Sequence, residues 1–181
     1  MMPCASILLL SILFVSSLSS AVTPNESMEN DPGLQTTPDR ATAKYFVHHT
    51  MLRVKDPKAS LDFYSRILGM SLLRRSDLTE FRISTYLMGY EDTTKAPMDP
   101  LNHTAWAFSR RGVMELAHYW GTESNSNFTG YQNGNTEPLD YGHIALSVDD
   151  VQEAIKRFEN LGVEFVMIPT DEKWGSIHPR S

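Results

Sequence analysis

A pattern that occurs twice does most to limit what this chain can become. From His48 to Gly69 the sequence reads HHTMLRVKDPKASLDFYSRILG. About ninety residues later, from His143 to Gly162, a weaker copy reads HIALSVDDVQEAIKRFENLG. In each copy a His opens a short apolar strand and an Asp stands at the strand's end. A helical stretch follows, with an aliphatic residue and an aromatic three positions on (Leu61 and Tyr64, Ile155 and Phe158), and Leu-Gly closes it. Two such copies predict a duplicated module with a site built between the halves. Metal ligation is the natural use of the two leading histidines, because neutral imidazole binds divalent zinc, nickel and cobalt well.

The rest of the composition narrows the chemistry. A 41% share of hydrophobic residues is enough for an ordinary core. The formal charge of −6 has no basic counterweight, which argues against nucleic acid as a partner. The single cysteine, Cys4, rules out a disulfide within one chain and a zinc-cysteine cluster, and its place in the expected leader leaves no thiolate catalyst once that is removed. A metal site here must use His, Asp, Glu, Gln or Asn.

Residues 1–21 read as a signal peptide: Ile7 to Val15 is apolar apart from Ser11, and Ser19-Ser20-Ala21 suits cleavage. The run is shorter than the roughly 20 apolar residues a membrane-spanning helix needs, so no membrane association is expected once the leader is removed. Sequons at Asn25, Asn102 and Asn127 agree with a secretory or extracellular setting, the cytoplasm being the alternative. Residues 22–44, rich in Pro, Asn, Thr, Asp and Glu, read as a disordered arm.

Periodicity predicts the ordered elements. Tyr45 to Val54 alternates as a strand that sets His49 and Arg53 on one face with Val47 and Met51. A helix follows from Pro57 to Leu68, with Gly69 as its C-cap. Met70 to Arg75 and Phe81 to Tyr90 read as strands, Glu91 to His103 as a polar loop, and Thr104 to Phe108 with Gly112 to Tyr119 as a hairpin. Glu115 shares a face with Val113 and Ala117, where a carboxylate is costly unless paired or metal-bound. An edge strand that turns Glu115 to water explains the pattern equally well.

Gly121 to Pro138 is a long Asn/Gly/Ser/Thr loop. Beyond it come a strand from Tyr141 to Val148, a helix from Asp149-Asp150 to Leu161, Gly162 as cap, a strand from Val163 to Ile168, and an irregular tail over 169–181. The first module has at least three strands after its helix and the second has one, so internal symmetry implies a missing stretch. His48 reads as outward-facing and structural, and His118 as packing on the face opposite Glu115. His103 and His178 receive no role.

The segments HTMLRVKDPKASLDFYSRILGMSLL, YLMGYED, MELAHYWGTES, GYQNGN, YGHIALSVDDV and RFENLGVEFV together resemble glyoxalase I (lactoylglutathione lyase) of the vicinal-oxygen-chelate superfamily. The resemblance covers roughly Phe46 to Pro169. It implies an α+β fold of paired βαβββ modules over 45–168, the second incomplete, and a homodimer. It implies isomerisation of the methylglyoxal–glutathione hemithioacetal to S-lactoylglutathione on a divalent metal, zinc favoured over nickel, with a metal-bound glutamate moving a proton between adjacent carbons.

By the same resemblance the metal ligands are His49, Glu115 and His143, Glu115 is also catalytic, and Arg53 binds a glutathione carboxylate. The sequence departs from the family at Tyr119 and Leu139, where Asn and Arg are usual glutathione contacts. It also has no DPDGYWIE-like motif to supply a fourth ligand and principal base. These departures imply impaired catalysis, or else a non-catalytic paralogue of the same fold that binds a metal or small ligand or regulates a partner.

Overall fold

The computed structural model describes residues 33, 35, 37–132, 143–163 and 165, together with the backbone of 12–16 and 176–177. In chain order its strands are β1 (Ile12–Ser16), β2 (His49–Val54), β3 (Ser71–Leu78), β4 (Ile83–Gly89), β5 (Val113–Tyr119), β6 (Ile144–Val148) and β7 (Ser176–Ile177). The helices are α1 (Pro57–Asp62), α2 (Pro100–Phe108) and α3 (Val151–Asn160).

The duplicated units are built by the same local rules. Asp56 caps α1 by accepting from the Lys58 and Ala59 amides, and Asp150 caps α3 by accepting from the Glu153 amide. Gly69 (φ +80°) and Gly162 (φ +77°) end the two units in the left-handed conformation that favours glycine. The copies differ by one residue: Gly69 lies twenty positions after His49, and Gly162 nineteen after His143. The extra residue is absorbed as a turn of π-helix, Phe63–Ile67, that continues α1 and is marked by the bond from Leu68 N to Phe63 O at 3.0 Å.

The four-stranded sheet has the order β2-β5-β4-β3. β2 runs parallel to β5, while the β5-β4 and β4-β3 pairs are antiparallel. One face packs against α1, its π-turn and α3: Val54, Tyr86, Met88, Met114 and Leu116 join Tyr64, Ile67, Leu68, Met70 and Phe158 in one core. The two repeats therefore share a core. Arg157 of α3 reinforces it, donating to the carbonyls of Arg66 and Ile67. On the opposite face α2 covers only one end, where Leu73, Leu87, Ala107 and Val113 cluster beside Trp106. Among the described residues the remainder of that face is uncovered, and it holds the candidate site.

Several expectations need correction. Thr104 to Phe108 is helix, not half of a hairpin. Asp99 accepts from the Asn102 amide at 2.9 Å and Pro100 opens the first turn, so a capped helix begins before the apolar run is reached. β5 consequently lies between β2 and β4, an inner strand, and the edge-strand reading of Glu115 does not hold. The first strand starts at His49, and Tyr45 and Val47 are 77% and 84% exposed.

Val163 and Phe165 carry no strand, and 164 and 166–168 lie outside the described residues. Within the expected arm, Arg40–Thr42 forms a 3-10 turn capped by Asp39. The expected leader contributes β1, which pairs parallel with β6 and antiparallel with β7 of the expected tail. Among the described residues no helix is long and apolar enough to cross a membrane.

Candidate functional site

Parallel pairing sets His49 opposite Val113 and Met51 opposite Glu115, so His49 and Glu115 are diagonal neighbours on the face that α2 leaves open. The His49 Nε2 and a Glu115 carboxylate oxygen are 3.3 Å apart, and the two side chains are 31% and 23% exposed. Two ligands on one tetrahedral zinc, with bonds of about 2.0–2.2 Å, stand roughly 3.3–3.6 Å apart. The pair thus fits one edge of a metal site in both donor type and spacing.

The neighbouring His48 is not outward-facing. Its ring stacks on Phe108 with centroids 5.1 Å apart and 19° between planes. Its Nε2 lies 3.2 Å from the Ala107 carbonyl and its Nδ1 lies 2.5 Å from the His49 Nδ1. Both partners on the far side belong to α2, which sequence reasoning took for a strand. The adjacent histidines were the only hint.

Arg53 is two alternate positions further along the same face of β2, roughly 13 Å from His49. The loop after β5 folds over this end. Thr122 Oγ1 donates to the Lys55 carbonyl at 2.8 Å, the Lys55 ammonium sits 5.9 Å from the Phe128 ring centre, and Phe128 meets Tyr131 edge-on at 4.9 Å. Burial pushes the Tyr131 phenol up, Tyr119 adds to the rise and Arg53 opposes it, which puts these groups within electrostatic reach of one another. Tyr119, flagged as a departure, is two positions beyond Ala117, the residue paired with Arg53, on the same face of β5. Leu139 lies outside the described residues.

His118 is buried on the opposite face, as expected, with Nε2 2.7 Å from a Glu123 oxygen that also accepts from the Gly121 amide at 2.9 Å. His103, given no role, places its two ring nitrogens 3.0 Å from the Pro97 carbonyl and 2.8 Å from the Leu73 carbonyl, tying α2 to β3. His143 is exposed just before β6. The structure brings His49 and Glu115 together and does not bring His143 to them: among the described residues there is no cluster of three His, Cys, Asp or Glu side chains suited to a metal.

The sequence family described as the Glyoxalase/Bleomycin resistance protein/Dioxygenase superfamily matches residues 46–178. A lactoylglutathione lyase of Pseudomonas aeruginosa is 49% identical over 138 residues, covering 76% of this chain and 77% of its own. This chain belongs to the glyoxalase I family. A lactoylglutathione lyase of Pseudomonas putida is 45% identical over 134 residues, 74% of this chain and 77% of that one. Among solved structures, the trypanothione-dependent glyoxalase I of Leishmania major aligns with a TM-score of 0.53 at 26% identity, covering 75% of this chain and 80% of that one. The α+β glyoxalase fold and membership in a family of carbon–sulfur lyases follow. His49, Glu115 and His143 all lie within the matched range.

Proposed function

We propose that this chain carries out, at low rate, the isomerisation of the methylglyoxal–glutathione hemithioacetal to S-lactoylglutathione, using a divalent metal held by His49, Glu115 and His143. The observation that carries the reading is the 3.3 Å approach of the His49 Nε2 to a Glu115 oxygen on the uncovered sheet face. A metal bound there supplies Lewis acidity toward the substrate's oxygens, and zinc is favoured over nickel. The second oxygen of Glu115 is free to take a proton from one substrate carbon and return it to the next.

Arg53 offers a bidentate, charge-assisted contact to a glutathione carboxylate along the same groove. Because His143 stands apart from the other two ligands, a homodimer in which one copy's His143 completes the other copy's pair is part of this proposal. The low rate follows from residue identity. Leu139 lacks the charge complementarity of Arg, Tyr119 lacks the amide of Asn, and these 181 residues contain no DPDGYWIE-like source of a second metal-bound glutamate.

The test is formation of lactoylglutathione by the zinc-loaded chain, beside a version extended with a DPDGYWIE-containing stretch. The extended version is expected to be faster by about 10²–10⁴, the usual contribution of a general base. Equal rates would sink the proposed division of labour. The isolation of His143 also favours a second reading, a metal- or small-ligand-binding paralogue without turnover. That reading predicts no lactoylglutathione from either version. A secretory or extracellular location, with glycosylation at the sequons, belongs to the same proposal.

A further inference from the structure

His48 is a polar group at this site that the proposed reaction leaves unused. Three contacts run through it in series: Ala107 carbonyl to His48 Nε2 at 3.2 Å, His48 Nδ1 to His49 Nδ1 at 2.5 Å, and His49 Nε2 to Glu115 at 3.3 Å. The first two are hydrogen bonds and need one hydrogen each; the third is a 3.3 Å approach of two lone-pair atoms that a hydrogen or a cation would relieve. Two neutral imidazole rings hold two N–H groups in total. Two hydrogens cannot serve three contacts.

Where the shortfall lands depends on His48. The Ala107 carbonyl is one of the last in α2, at the negative end of that helix, and the residue is 0% exposed; the carbonyl accepts the Arg110 amide at 3.3 Å and has a second lone pair for His48. A carbonyl only accepts, so it calls for hydrogen on His48 Nε2. The His48 Nδ1 is then bare and accepts from His49 Nδ1–H, which leaves the His49 Nε2 lone pair facing the Glu115 carboxylate. The shortfall is thereby moved to the His49–Glu115 approach, whose side chains are partly exposed and where a divalent cation can sit against both atoms. The reverse assignment puts hydrogen on His49 Nε2, which blocks it as a ligand, and turns a bare His48 nitrogen toward Ala107.

We propose that His48 is a positioning residue for the metal site: by donating to Ala107 it presents an acceptor to His49 and fixes the tautomer whose Nε2 can take a metal. This rests on the metal reading above and extends it to the layer behind the ligands, where such hydrogen bonds orient ligating histidines.

Two variants of the full chain separate the role from mere packing. His48→Phe keeps a ring on Phe108 and loses both hydrogen bonds. His48→Gln keeps both, since its amide oxygen accepts from His49 and its NH₂ donates to Ala107. In zinc competition against a chromophoric chelator, His48→Phe is expected to bind about 10–100-fold more weakly than wild type. His48→Gln is expected to stay within a few-fold.

Proton–nitrogen correlation spectra of the zinc-loaded wild type should show hydrogen on His48 Nε2 and on His49 Nδ1. Equal affinity of wild type and His48→Phe, or hydrogen on His48 Nδ1 in the zinc form, would overturn the His48 role alone. Failure of the wild type to bind zinc at all would overturn the metal reading, and this inference with it.

Discussion

Glu115 sits on an inner strand with its carboxylate turned to a half-open face and an imidazole nitrogen beside it. Its replacement by Gln keeps the volume and removes the negative charge, so Glu115→Gln should fold normally while zinc affinity falls by roughly tenfold or more. Isothermal titration with zinc, beside a thermal melt, checks both halves of that expectation.

On the opposite sheet face, two exposed carboxyls each add a small contribution to acid stability through their nearest partners. The Ser84 hydroxyl, and then Arg75, hold the Asp77 carboxyl below its ordinary range. Glu123 is held down by its own backbone N–H and then by His118. A carboxyl lowered by folding contributes stability above its unfolded value, and that contribution disappears as pH falls through the folded one. The melting temperature should therefore drop below about pH 4. Ser84→Ala, which removes the first-named partner of Asp77 and the acceptor of the Trp120 N–H, should flatten part of that drop. Melts of both proteins at stepped pH decide it, and parallel curves would count against the assignment.

Among the elements, the two helix-bearing repeats were readable because their signals are local. Asp caps, a Leu-Gly stop and apolar spacing all act within a dozen residues, and they recur in α1 and α3. What could not be read was α2. The run Thr104 to Phe108 is too short for periodicity to separate helix from strand, and the Asp99-Pro100 start that decides it lies in a stretch that otherwise looks like loop. The misreading had a cost elsewhere. His48 finds Ala107 fifty-nine residues away, so without α2 it had no visible partner.

The π-turn allows a sharper test of the repeat. Ser65 is exposed and lies in the extra turn, so deleting it should convert Phe63–Ile67 to ordinary helix and bring the first copy to the spacing of the second. The deletion is expected to fold with Tyr64, Ile67 and Leu68 still buried and Leu61 still packed against them. Circular dichroism and a cooperative melt near that of wild type would bear this out. Collapse of the melt would mean that the copies are not equivalent.

Across the whole molecule, the pairing of β1 with β6 places one stretch of chain under two competing claims. In the first sheet, β2 has the parallel strand β5 at its side. In the second, β6 has β1 in the corresponding place, and β1 lies inside the segment that reads as a leader. A chain that lost this segment would leave β6 without its β1 partner. A chain that keeps it has an extra strand and has not been processed. Amide exchange can follow removal of the segment: Ile144–Val148 should exchange slowly in protein that retains Met1 and quickly in protein that begins at Val22. Slow exchange in both would require β6 to find another strand, and a second copy of the chain has one to offer.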